Sequence, residues 1–322
     1  MASPMKILIP ANMMDDYGAA AKAAAPDVDL LPYDDSDGPV PGADEAEGIL
    51  RSWTFRRWKQ LVAEGPRIRW MHTLSAGVDG LLVPEVRSKK GLILTESGTA
   101  FTDSIPEFVM AWILMVARRL PQFIDQQRDH RWEGIQQDEL TDATIGIVGL
   151  GPIGLGVAKR AKAFGMRTLG LRRHDRPAEN VDEVVTSAEG LDRLVRESDY
   201  IVIAAALTEE TRHIIGKAEI AKMKPTAWIV NIARGEHIDQ DALLDALQSK
   251  AIGGACLDVT TPEPLPKDSP LWDLPNVYIA PHNSTGNAPS VRRRQREIFI
   301  DNLQRFSKGE PLENVVDFER GY

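Results

Sequence analysis

Short apolar runs recur along the chain, each bounded by polar or turn-forming residues and separated from the next by a stretch of helical periodicity. In the first hundred residues they fall at 7–9, 29–31, 47–50, 69–73 and 92–95. A second series begins at Thr144 and continues at 168–171, 183–185, 200–204, 228–231, 255–258 and 277–279. Strand-length runs alternating with helices predict α/β architecture, here two parallel sheets with helices on both faces. Between the two series, Asp103 or Ser104 reads as a helix N-cap, with Pro106 in the first turn and Glu107 behind it. The helix that follows is apolar nearly all round and should be covered on more than one side. Burial within one subunit and a subunit interface would both cover it, so a homodimer is an expectation. Its apolar run, 108–117, is ten residues, against the roughly 20 that span a bilayer. No transmembrane helix is expected.

The run from Thr144 to Val148 leads into Gly149, Gly151 and Gly154, the G-x-G-x-x-G spacing, and then into a helix from about 153 to 164. The first glycine permits a tight turn, the second lets backbone approach a pyrophosphate, and the third lets helix pack on strand. Phosphates would meet unpaired N–H groups where Pro152 and Ile153 open the helix. A glycine turn that binds nothing is the alternative; the strand-turn-helix setting favours a dinucleotide. A single-domain protein of this class usually carries such a turn on its first strand, yet here it heads the second series. Residues 1–101 and 288–322 are therefore expected to form a flavodoxin-like substrate-binding domain, and 102–287 a Rossmann cofactor domain, both doubly wound. The site is expected in the cleft between them.

Composition narrows the function. The 322 residues are 43% hydrophobic and 26% charged, ordinary for a globular protein. A net charge of -9 argues against a nucleic acid or an anionic membrane as partner. The single cysteine, Cys256, makes no intrachain disulfide and sits in an apolar run, which fits a reducing cytoplasm. The N-terminus has only a brief apolar stretch before Pro10, unlike a signal peptide.

The strand after the glycine turn ends in Arg172 and Arg173. That strand end commonly meets the adenosine ribose, and guanidinium groups there suit a 2′-phosphate that a carboxylate would repel. NADP is favoured, although Asp175 could reach a ribose hydroxyl and keeps NAD open. Of the six histidines, His72, His130, His174, His213, His237 and His282, the last stands out because it leaves the carboxyl end of the run 277–279. Arg234 follows another strand, and Asp258 and Glu263 follow a third. Arginine, glutamate and histidine should then converge on one cleft. Arg51 follows a strand of the first series and could contact substrate there, a surface role being the alternative; Trp53 reads as packing. The basic run 292–296 reads mainly as a solvated helix face. No metal site is expected.

In these motifs the chain resembles the D-isomer-specific 2-hydroxyacid dehydrogenases. The resemblance runs in order through residues 74–79, the glycine turn, 231–235, 256–266 and Pro281-His282, covering nearly the whole chain. It is closest to the glyoxylate/hydroxypyruvate reductase-like branch. The resemblance implies that Arg234 binds the substrate carboxylate and carbonyl, that His282 is the acid/base with Glu263 its partner, and that Asp258 holds the nicotinamide carboxamide. It places Ala206 and Ala233 against the cofactor and backbone at Ser75, Ala76 and Gly77 on the other side of the substrate carboxylate. Family members often carry proline where this chain has Ala206, and smaller or apolar residues where it has Asn283, Ser284 and Thr285. The implied function is NADP-dependent reduction of a small 2-oxo acid to the D-2-hydroxy acid. A formate dehydrogenase-like enzyme and a cofactor-sensing corepressor-type scaffold share the fold and are the alternatives.

Overall fold

The computed structural model describes residues 4–286 and 288–322. The chain divides into two compact units, Met1–Phe101 with Ala288–Tyr322, and Thr102–Asn287.

The first unit is built on five parallel strands: β1 (Met5–Pro10), β2 (Val28–Tyr33), β3 (Gly48–Arg51), β4 (Trp70–Thr73) and β5 (Ile93–Thr95), in the order β2-β1-β3-β4-β5. This is the flavodoxin-like doubly wound order. Its inner strands β1, β3 and β4 are largely apolar on both faces because both are covered. Leu8, Ile49, Met71 and Leu94 pack with Trp58, Leu61 and Val62 of the helix Trp58–Glu64. Ile7, Ile9, Leu50 and Trp70 point the other way, toward Tyr17 and toward Phe299, Leu303 and Phe306 of the helix Pro289–Lys308. That last helix packs on the N-terminal sheet through residues spaced three or four apart, one face of the helix. The Trp70 and Phe299 rings stack with centroids 5.6 Å apart.

The basic run on this helix is not simply a solvated face. Arg294 donates to the Ala100 carbonyl, Gln295 to the Leu74 carbonyl, and Arg296 pairs with Asp16. The long polar side chains tie the returning helix to loops of the first hundred residues. The tail follows them, Val316 donating to the Leu94 carbonyl beside β5.

The second unit has seven parallel strands: β6 (Thr144–Val148), β7 (Arg167–Leu171), β8 (Glu183–Val185), β9 (Tyr200–Ile203), β10 (Trp228–Asn231), β11 (Gly254–Leu257) and β12 (Val277–Ile279). Their order, β12-β11-β10-β9-β6-β7-β8, is a Rossmann sheet extended by one strand. The order reverses at β6 and β9, and ligands of such sheets bind outside the strand carboxyl ends at that point.

The helix Ser104–Ala117 packs on the helix Pro152–Ala163, where a Cβ at Gly156 would lie 2.5 Å from the Thr102 carbonyl oxygen. Asp103 stands at its N-cap position but makes no side-chain cap bond. Its carboxylate instead accepts from Arg160 at 3.0 Å. The segment Gly98–Ala117 is apolar and long enough to cross a membrane by length and composition, and half of it is buried inside the protein. Val109, Ile113 and Val116 are buried while Ala111 is exposed.

Candidate active site

The glycine turn is shaped by contacts that side chains would destroy. Gly149 has φ +102°, and a Cβ there would meet the Ala205 backbone at 2.6 Å. At Gly154 a Cβ would lie 2.0 Å from the Gly149 carbonyl oxygen. Gly151 differs, since a Cβ there meets nothing within 4 Å. It is exposed, it precedes Pro152 at the first helical position, and no side chain caps the helix. The first-turn N–H groups at Ile153 and Gly154 lack intrahelical partners by construction. A pyrophosphate fits such a cradle in shape and charge.

Beyond β7, the two arginines differ. Arg173 pairs with Glu210 at 2.5 Å. Arg172 is half-buried and its N–H donates to the Val185 carbonyl. Of the two, Arg172 is the one whose guanidinium has no carboxylate partner among the described residues.

At the end of β9, Ala206 is held without proline. Its carbonyl accepts from Thr211 Oγ1 at 2.7 Å and faces His237 Nε2 at 3.3 Å. The other nitrogen of the His237 ring faces the Arg234 carbonyl at 3.1 Å. Fully buried, His237 links the loop after β9 to the loop after β10. Burial pulls its pKa below the usual histidine range, against the pull of the two carbonyls, which favour the charged ring. Sequence reasoning left His237 among the ordinary histidines. Its only signal was its place three residues after Arg234.

The loop carrying Arg234 is braced from within. Buried Asn231 accepts from the Ala233 N–H and donates to the Arg234 carbonyl. Gly235 lies so close to the next loop that a Cβ would meet the Thr260 backbone at 2.2 Å. The Thr260 N–H in turn donates to Glu263 Oε1 at 3.2 Å. The other carboxylate oxygen, Oε2, meets His282 Nδ1 at 3.0 Å.

His282 has φ +50°, a region a β-carbon-bearing residue seldom adopts. Asp258 holds it there. Its carbonyl accepts from the His282 N–H at 2.8 Å, and its buried carboxylate accepts from the N–H groups of Asn283 and Ser284. The carboxylate expected to hold the carboxamide thus has a task the sequence did not reveal, positioning the loop that carries His282. The loops after β10, β11 and β12 interlock, with His282 Nε2 left as the ring nitrogen not spent on Glu263.

In the first unit, Arg51 ends β3 beside Thr73 of β4. Ser75 is buried, its hydroxyl 2.8 Å from that of Thr73 and its carbonyl accepting from Ser97. Ala76 and Gly77 are half-buried. All four candidate substrate contacts lie at the carboxyl edge of that unit's own sheet. Among the described residues, no group of three or more His, Cys, Asp or Glu could hold a metal ion.

The family model of the D-isomer specific 2-hydroxyacid dehydrogenase NAD binding domain matches residues 110–284. The chain is 39% identical to a glyoxylate/hydroxypyruvate reductase B of Pectobacterium carotovorum over 284 residues, 86% of this chain and 87% of the other. It is similar to the crystal structure of a D-isomer specific 2-hydroxyacid dehydrogenase from Xanthobacter autotrophicus in complex with NADPH and MES. That pair has a TM-score of 0.86 and 30% identity, covering 100% of both chains. A Sinorhizobium meliloti NADPH-dependent glyoxylate/hydroxypyruvate reductase, solved with NADP and sulfate, gives a TM-score of 0.84 at 28% identity, over 99% of this chain and 100% of that one.

Proposed function

Because the chain belongs to the D-isomer specific 2-hydroxyacid dehydrogenase family, we propose that it reduces a small 2-oxo acid to the D-2-hydroxy acid with NADPH. The observation that carries this reading is the Glu263–His282 hydrogen bond, held in a loop that Asp258 clamps. When bound, the reduced nicotinamide supplies a hydride to the carbonyl carbon. Negative charge then grows on the carbonyl oxygen, and His282 Nε2 donates the proton that neutralises it. Proton transfer of this kind contributes typically about 10²- to 10⁴-fold. Glu263 favours the charged ring through opposite charge and fixes its orientation through Nδ1. Arg234 anchors the substrate carboxylate with its forked donors and stabilises the growing oxyanion. Backbone at Ser75, Ala76 and Gly77 takes the rest of that carboxylate, which turns one carbonyl face toward the hydride.

Gly149, Gly151, Pro152, Ile153 and Gly154 hold the pyrophosphate in this reading, Ala206 and Ala233 border the nicotinamide half, and Arg172 receives the 2′-phosphate. The relatives with NADPH or NADP in their crystals support that choice of cofactor. A homodimer is part of the proposal, on the exposed apolar side chains of the helix Leu120–Arg128.

The test is a panel of glyoxylate, hydroxypyruvate, pyruvate, phenylpyruvate and longer 2-oxo acids, each with NADPH and with NADH. At least one should be reduced, with NADPH preferred. His282→Ala and Arg234→Ala should lose turnover while NADPH fluorescence still reports binding. Unchanged kcat/KM in either variant would show the roles to be misassigned.

A further inference from the structure

Arg51 is a buried charge without a counter-charge. It ends β3 at the carboxyl edge of the first unit's sheet and is only 9% exposed. Its Nε and Nη1 are buried with no hydrogen-bond acceptor, and among the described residues it forms no salt bridge. What it has instead is aromatic: its guanidinium lies 4.0 Å from the ring centroid of Trp53 and 5.9 Å from that of Trp58. A guanidinium does not escape burial by losing its proton, and buried charges are as a rule paired. The missing group is an anion. The Trp53 ring over the guanidinium is itself 65% exposed.

The location says which anion. Arg51 is in register with Thr73 on the adjacent strand, and neighbouring strands are about 4.8 Å apart. Ser75, where the backbone is proposed to receive the substrate carboxylate, lies two residues beyond Thr73. An arginine side chain extended from Arg51 therefore reaches a group only a few bonds away from that carboxylate. A hydroxyl there would accept a hydrogen bond but bring no charge.

We propose that Arg51 sets substrate choice by receiving a second carboxylate, so that short 2-oxo dicarboxylates are preferred over monocarboxylates of the same length. The inference rests on the 2-oxo acid reading and names its substrate class.

The experiment compares kcat/KM for oxaloacetate against 2-oxobutanoate, and for 2-oxoglutarate against 2-oxopentanoate, with NADPH. It uses the wild type, Arg51→Met and Arg51→Lys. The dicarboxylate-to-monocarboxylate ratio should fall about 10- to 100-fold in Arg51→Met, the size expected for a charge-assisted contact, and Arg51→Lys should recover part of it. In parallel, malonate but not acetate should raise the Tm of the wild type and leave that of Arg51→Met unmoved. Without any ligand, Arg51→Met should melt at or above the wild-type temperature, because an unpaired buried charge has been removed. Equal loss on all substrates would overturn the proposal, since Arg51 would then hold the carboxylate they share. A lowered Tm with an unchanged ratio would also overturn it, in favour of packing. If no 2-oxo acid is reduced at all, the reduction itself is what fails, and the malonate shift still decides for or against the anion site.

Discussion

Two groups of the first unit, His72 fully buried and Glu96 half-buried, have their pKa values pushed in opposite directions. His72 is fully buried, with Nδ1 2.7 Å from Thr95 Oγ1 and Nε2 3.0 Å from Ser97 Oγ, and burial pushes its pKa from 6.5 down to about 3. Between those values the unfolded chain holds a proton that the folded one refuses, so stability is lost as pH falls from 6.5 toward 3. The neighbouring Glu96 is pushed by burial from 4.5 up to about 7, despite a hydrogen bond from the Gly98 N–H. Here the folded chain holds the extra proton, and stability is gained as pH falls from 7 to 4.5. From 6.5 to 4.5 the two slopes, each at most about 1.4 kcal/mol per pH unit, oppose one another. Relative to the wild type, Glu96→Gln should make Tm fall more steeply with acid across this window, and His72→Asn should make it rise or fall less. Parallel Tm–pH curves for all three proteins would refute the pairing. At this scale the sequence reveals identity better than environment. His282 could be chosen because it leaves a strand end, but nothing in the pattern marks His72, His237 or Arg51 as buried against these particular partners. Those contacts join residues from separate loops and strands.

At the scale of elements, the glycine turn separates what holds the fold from what makes room for a ligand. A methyl at Gly154 would collide with the Gly149 carbonyl at 2.0 Å and force the helix Pro152–Ala163 off β6. Gly154→Ala should therefore cost about 1–3 kcal/mol in urea unfolding. Gly151 borders open space, so Gly151→Ala should leave unfolding within about 0.5 kcal/mol while weakening NADPH binding tenfold or more by fluorescence titration. Equal binding by Gly151→Ala and the wild type would mean that no pyrophosphate approaches there. Among the described residues the apolar runs overlap all twelve strands, because the inner strands of both sheets are covered on both faces and so are largely apolar. Their ends were less legible: β9 stops at Ile203 and β11 at Leu257, which leaves Ala204 and Asp258 in loops. The N-cap position was legible, at Asp103, but its side chain makes no cap bond. Arg160, more than fifty residues along the chain, competes for the Asp103 carboxylate, and no local rule contains that competitor.

For the whole molecule, the question is what covers the apolar surface left outside. Leu120 and Ile124 are one helical turn apart on the helix Leu120–Arg128, and they are 45% and 50% exposed. Trp132, just beyond, is fully exposed at 102%. Single exposed apolar residues are unremarkable, but here three fall within thirteen positions of one segment, two of them one helical turn apart. A second copy of the chain would cover it in the proposed homodimer, and fully burying each such side chain is worth about 1.5–3 kcal/mol. Light scattering should then give a mass of two chains for the wild type and of one for the double variant Leu120→Glu, Ile124→Glu. Because both positions are exposed in the single chain, the variant should retain its far-ultraviolet circular dichroism, which separates loss of association from loss of fold. Trp132 offers an independent readout, since its emission should shift to the red on dilution as the ring returns to water. A wild-type mass of one chain with no concentration dependence of that emission would leave these side chains for another partner and remove the dimer.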